Sequence, residues 1–171
     1  MEDLANSTLL TLKKSSASAE SKISAVNSLK SSIKHQRVPE AAQATTLECL
    51  RLAITTTVSA SLVTTGFSGL SHLVKRLTLQ EQTSVLFAQR TNLLGILSEK
   101  IGDVREAHRT AAGQALSDLW PSKSAEVEQI VRESAIQGSN ARAKVAGIQW
   151  ILKVRDHITN ALNLSDTLVD A

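Results

Sequence analysis

Four histidines, one cysteine and an uneven set of arginines and lysines are the side chains here whose types could do chemistry. His35, His72, His108 and His157 fall on different segments, with no paired histidine and no His-Glu-x-x-His spacing of a helical zinc site. Each reads as a surface or groove residue, not as a ligand. Cys49 stands beside Leu50 on an apolar stripe, where a thiol serves as a small hydrophobe. Nothing around it would stabilise a thiolate. Asp103, a conceivable general base, is accounted for as a helix N-cap. No glycine-rich phosphate loop follows a strand. The chain reads as a non-enzyme without cofactor or metal, and the chemistry left to its polar residues is electrostatic recognition.

The charges are unevenly placed. Lys13 to Arg76 holds nine basic residues against three acidic, Leu77 to Asn140 six against eight, and Arg142 to Arg155 four against none. Such patches point to partners with acidic surfaces. Nucleic acid is a poor match, because Phe67, Phe87, Trp120 and Trp150 are the whole aromatic complement and bases need exposed rings for stacking. No apolar run approaches the roughly 20 residues that cross a bilayer, and Met-Glu-Asp-Leu does not open a secretory signal. With its lone cysteine, the chain is expected in the cytoplasm or nucleus.

The elements that must position these charges are helices. Leu, Ile, Val and Ala dominate the apolar set, while seven Gly and two Pro leave little for turns and sheets. Steps of three and four residues between apolar positions predict helices over 2–14, 20–35, 40–57, 59–77, 79–101 (long or broken), 103–119, 122–136 and 140–156. Pro39 is expected at a first helical position, Thr78 and Glu81 as a capping box, and Gly102-Asp103 and Trp120-Pro121 as helix punctuation. Residues 157–171 read as a weakly patterned C-terminal tail to a domain spanning 1–156.

The second helix of each successive pair repeats one pattern: a basic or apolar residue, a small one three positions on, and a large aliphatic four beyond that. Lys22, Ala25, Leu29; Val63, Gly66, Leu70; Arg109, Ala112, Leu116; and Lys144, Gly147, Ile151 all fit. The spacing is roughly that of HEAT and armadillo repeats. The fold class is therefore all-α, an α-solenoid of about four HEAT-like helical hairpins. Ala25, Gly66, Ala112 and Gly147 are its packing register, with Arg109 and Lys144 read as structural. The corners within hairpins, near 15–19, 56–60, 101–105 and 138–142, should align along one edge. Lys13, Lys14, Arg105 and Arg142 then become the candidate binding residues, while the second corner carries no charge.

Several stretches carry a family resemblance. They are KISAVNSLKSSIK from Lys22 to Lys34 with Val38-Pro39-Glu40, GFSGLSHLVKRL from Gly66 to Leu77, Gly102-Asp103 through Asp118-Leu-Trp-Pro121, and Asn140-Ala-Arg-Ala-Lys144. Together they resemble the start of fungal members of the CLASP family of microtubule regulators. The resemblance implies a TOG domain, an arc of HEAT repeats, of which this chain would be the first four in truncated form. It further implies binding to tubulin or the microtubule lattice, microtubule stabilisation at plus ends, and work at the spindle and kinetochore. Localisation to cytoplasm, spindle cytoskeleton, nucleus and kinetochore would follow. Tubulin contact through aligned corners carries over to Arg105, Arg142, Lys13 and Lys14. The first two corners lack the large aromatic of strong tubulin-binding TOG domains. The alternative is therefore a HEAT-repeat scaffold that docks a kinetochore or other protein through its apolar groove, without direct tubulin binding.

Overall fold

The computed structural model describes the backbone of residues 1–169 and the side chains of 1–90 and 92–156. Eight α-helices form among these residues: α1 (Glu2–Lys13), α2 (Ala19–His35), α3 (Glu40–Thr55), α4 (Ala60–Leu79), α5 (Leu93–Lys100), α6 (Glu106–Leu119), α7 (Ser124–Ile130) and α8 (Ala141–Val169). The first six pair as hairpins, α1/α2, α3/α4 and α5/α6; in a fourth unit α8 packs against the π-helical turn Val131–Ile136 that follows α7, and no strand interrupts the described residues. The all-α solenoid expected from the apolar periodicity is the fold observed.

Neighbouring hairpins stack in parallel. Arg76 at the end of α4 donates to the carbonyls of Ile33 and Lys34 at the end of α2, so those two C-termini adjoin. Val74 and Thr78 of α4 share a hollow with Ser117 and Asp118 of α6. Trp150 of α8 donates its indole N–H to the Gly113 carbonyl and the Ser117 hydroxyl of α6. The large aliphatics of the repeat pattern, Leu29, Leu70, Leu116 and Ile151, are all buried. Gly66, Ala112 and Gly147 are buried too, and Ala25 is half-buried. Gly66 shows why the position must be small: a Cβ there would stand 2.8 Å from the Ala53 Cβ and 2.9 Å from Ile54 Cγ2 on α3. The partner helix comes too close for a side chain.

The long or broken helix expected over 79–101 is broken, and its α-helical part is confined to α5. Here α4 runs on to Leu79, so Thr78 lies inside it and forms no capping box with Glu81. Glu81 instead adopts a left-handed backbone, φ 58°, as does Asn92, φ 45°. Between them lie two short 3-10 turns, Thr83–Phe87 and Gln89–Thr91, which occupy the slot beside α3. The tertiary reason is a knot of glutamines. The Gln80 amide both accepts from and donates to the Val38 backbone at 3.0 Å, and Gln43 and Gln80 each donate to Gln82 at 2.8 Å. Those bonds tie the end of α4 to the α2–α3 linker and outweigh local helical periodicity.

Smaller differences have local causes. Pro39, ψ 147°, stands just before α3, and that helix ends at Thr55. Ser124 is the first residue of α7 and no side chain caps it. Past α7 the backbone widens into a π-helical turn over Val131–Ile136. The backbone of α8 continues past the expected limit near Asp156.

Candidate interaction edge

Each corner within a hairpin is closed by a short polar side chain that accepts a backbone N–H at, or just before, the start of the second helix. Ser18 accepts from Ser21 at 3.1 Å, and Ser59 from Leu62 at 3.2 Å. Asp103 accepts from Arg105 at 2.9 Å, and Asn140 from Arg142 at 3.0 Å and Ala143 at 3.3 Å. These are the orphan donors of a helix N-terminus, and their dipoles add positive potential along the same edge. Asp103 differs from its expected role as an N-cap. The helix begins at Glu106, so its carboxylate closes an Asx turn just outside it. Asx followed two residues later by arginine is the shared feature of the third and fourth corners.

Those two corners touch. A Cβ on Gly102 would meet the Ala143 Cβ at 2.7 Å, the Ala143 nitrogen at 2.8 Å and Asn140 Nδ2 at 2.8 Å. Only glycine lets the backbones approach so closely. The contact places Arg105 and Arg142 on adjacent corners, both exposed, with no carboxylate in ion-pair reach among the described residues. Lys13 ends α1, Lys14 follows it, and both are exposed on the first corner. Near Lys13 on α3, Glu48 is gripped by Arg51 through two bonds of 2.6 and 2.7 Å. The Arg51 hydrogen bonds hold the Glu48 carboxyl below its usual range against the opposing effect of burial, and the Lys13 charge adds to this.

Arg109 is half-buried, and its guanidinium donates to the carbonyls of Asp103 and Val104, both at 3.0 Å. It braces the third corner from behind. Lys144, its counterpart in the repeat pattern, is exposed on α8. Asp103 is also bound by Lys100 at 3.0 Å. Burial raises its carboxyl, but the Arg105 N–H and Lys100, with His108 nearby, together hold it below the ordinary aspartate value. His108 is not the surface or groove residue expected from sequence. It is buried, its ring 6.3 Å from that of Phe67 on α4, with Nδ1 3.5 Å from Asp103 and lacking a hydrogen-bond partner. The side chain of His157 lies outside the described residues.

Two exposed aliphatics on this edge escape sequence reasoning. Val58 of the second corner is 85% exposed, and Val104, beside Arg105, is 70% exposed. A lone valine between threonine and serine, or between aspartate and arginine, was the available signal. It belongs to no helical stripe and so registers in no periodicity. From the first corner to the fourth, the edge thus presents lysines, an apolar knob, an apolar knob with an arginine, and a second arginine.

Burial pushes the Cys49 thiol up to about 12, and the thiol donates to the Ala5 carbonyl at 3.3 Å. Among the described residues, no three His, Cys, Asp or Glu side chains gather where a metal could sit. No helix among them is long and apolar enough to cross a membrane.

Residues 1–169 match the family described as CLASP N terminal. Protein STU1 of Phaeosphaeria nodorum is 46% identical over 154 residues, covering 90% of this chain and 13% of that protein. Protein STU1 of Coccidioides immitis is 42% identical over 154 residues, 90% of this chain and 12% of its own length. Protein stu1 of Aspergillus oryzae is 39% identical over 158 residues, 92% and 13% respectively. The chain therefore spans about an eighth of the length of these relatives. No solved structure matches it.

Proposed function

We propose that this chain, which belongs to the CLASP N-terminal family, is a non-catalytic helical-repeat module of a microtubule-associated regulator. It engages tubulin or the microtubule lattice through the corner edge, with Arg105 and Arg142 as the main charges and Lys13 and Lys14 as a second pair. Val58 and Val104 add apolar contact. Stabilisation of microtubules at plus ends, the spindle and kinetochores is the activity such a module serves in a longer protein. The observation that supports this reading is the close approach of Gly102 to Ala143 and Asn140, which brings together the two corners that carry the exposed Arg105 and Arg142, neither with a carboxylate in ion-pair reach among the described residues. Adjacent cations attract an acidic surface in a salt-dependent way, because attraction between exposed charges fades beyond a Debye length of about 10 Å at 0.1 M salt.

The test is co-sedimentation with microtubules across a salt series, beside size-exclusion with free tubulin. Arg105→Glu combined with Arg142→Glu is expected to lower the bound fraction at low salt and leave the melting temperature where it was. Unchanged co-sedimentation would remove the edge from the mechanism.

A further inference from the structure

At about 1.5 Å per residue, the 17 residues of α2 carry the chain about 25 Å from the corner edge to a second basic surface. Lys30, Lys34 and His35 occupy the last turns of α2, His72, Lys75 and Arg76 the last turns of α4, and Arg37 lies just past α2. Arg76 is spent on structure: its Nε donates to the Ile33 carbonyl at 3.2 Å and its Nη2 to the Lys34 carbonyl at 2.6 Å. That clamp satisfies two carbonyls at the C-terminus of α2 and draws the two helix ends together.

The other basic residues have no acidic partner among the described residues. Lys34, His35, Arg37 and Lys75 are exposed, and Lys30 and His72 half-buried. His72, two turns before the end of α4, feels charges from both helices. Burial, then Lys34, Lys75, Lys30 and His35 in turn, hold its imidazole below the ordinary histidine value. Every charged neighbour acting on it is a cation.

Lys75 has a second role. It lines a mainly apolar hollow of about 510 Å³ between α4 and α6, with Val74, Thr78, Leu79, Ser117 and Pro121, and Asp118 on the α6 side. Leu79, one turn past Lys75, is 79% exposed. A cationic patch thus runs into an apolar hollow through one shared lysine, and the hollow meets an acid on its far side. We propose that this surface docks an acidic peptide segment whose run of carboxylates lies across Lys30, Lys34, His72 and Lys75 and whose next aliphatic or aromatic residue enters the α4–α6 hollow. Charge complementarity chooses the acidic run. The hollow supplies the anchor that a purely ionic contact lacks, and Asp118 sets the direction by repelling an acidic continuation. Single-stranded nucleic acid would find no exposed Phe or Trp ring to stack on, and a bilayer would find one exposed leucine on this surface instead of an apolar face.

The probe is a fluorescein-labelled peptide of consecutive glutamates followed by leucine, titrated by anisotropy at low salt, with His72 followed by NMR. Binding is expected, and Lys34→Glu with Lys75→Glu should weaken it about tenfold or more, while Arg105→Glu with Arg142→Glu leaves it unchanged. On the unmutated protein, saturating peptide should raise the His72 pKa, because added carboxylates favour the imidazolium. Circular dichroism checks the fold of the double variant, and the His72 titration stands without it. Absence of binding, equal loss in the corner variant, or an unmoved His72 titration would overturn the proposal. So would equal affinity for a probe lacking the leucine, or tighter binding of an oligonucleotide or an anionic vesicle at the same salt.

Discussion

Gly102 and Ala143 lie so close that a Cβ on the first would stand 2.7 Å from the Cβ of the second. The third and fourth corners are in register because one of them has no side chain at this point. Gly102→Ala must push them apart, and overpacking of this kind costs about 1–3 kcal/mol. The expected outcome is a lower melting temperature together with weaker microtubule co-sedimentation, since Arg105 and Arg142 separate. A variant that melts lower but binds as before would show that corner spacing is irrelevant to binding.

Acid should loosen the same corner. Asp103 is held below its ordinary value near 3.8, so its ionised form contributes stability in full above that value. The contribution is lost as pH falls further, through the folded-state pKa. Asp103→Asn keeps an oxygen for the Arg105 N–H but drops the Lys100 ion pair. It should cost about 1 kcal/mol at neutral pH, and nothing once the carboxyl is protonated in both states. Urea denaturation of both proteins at neutral pH and at successively lower pH measures the difference; a gap that does not narrow as the pH falls would contradict the assignment.

Cys49, buried with its thiol raised to about 12, should resist alkylation in the native state. Iodoacetamide at pH 8 is expected to label it only at the rate of global opening, and denaturant should restore ordinary reactivity. Rapid labelling of the folded protein, read by intact mass, would place the thiol at the surface.

Glu81 holds a left-handed backbone without being glycine, at φ 58°. For an L-residue that conformation costs about 1–2 kcal/mol, and glycine adopts it freely. Glu81→Gly should therefore raise stability, by about 1 kcal/mol or less after the entropy glycine loses on folding. No gain in a thermal melt would mean that the glutamine knot already holds the turn without strain.

The helical hairpins were legible because Leu, Ile and Val recur at three and four residues, and the corners because Ser, Gly-Asp and Asn interrupt that rhythm. The second helices could be aligned on Gly66, Ala112 and Gly147, which the structure buries. Residues 80–92 were not legible. Val85, Leu86, Leu93 and Leu94 keep an apolar rhythm, and neither Glu81 nor Asn92 announces a left-handed turn as glycine would. Their conformation is decided by Val38 and Gln43, far away in sequence. The candidate edge was readable as charges at repeated corners. The burial of His108 was not, because the closeness of Phe67 on another hairpin decides it. Nor was the near-contact that joins the corners of Arg105 and Arg142, because a single glycine carries no signature of what it faces.

Residues 80–92 carry a mechanical consequence. The layer of second helices runs on by direct contact from α2 to α4 to α6, whereas in the other layer the 3-10 turns stand between α3 and α5. The turns act there as a spacer, as a shim does between two bricks. What separates those two hairpins is therefore held by a handful of glutamine amides, and trimming it would take away their spacer without touching a helix.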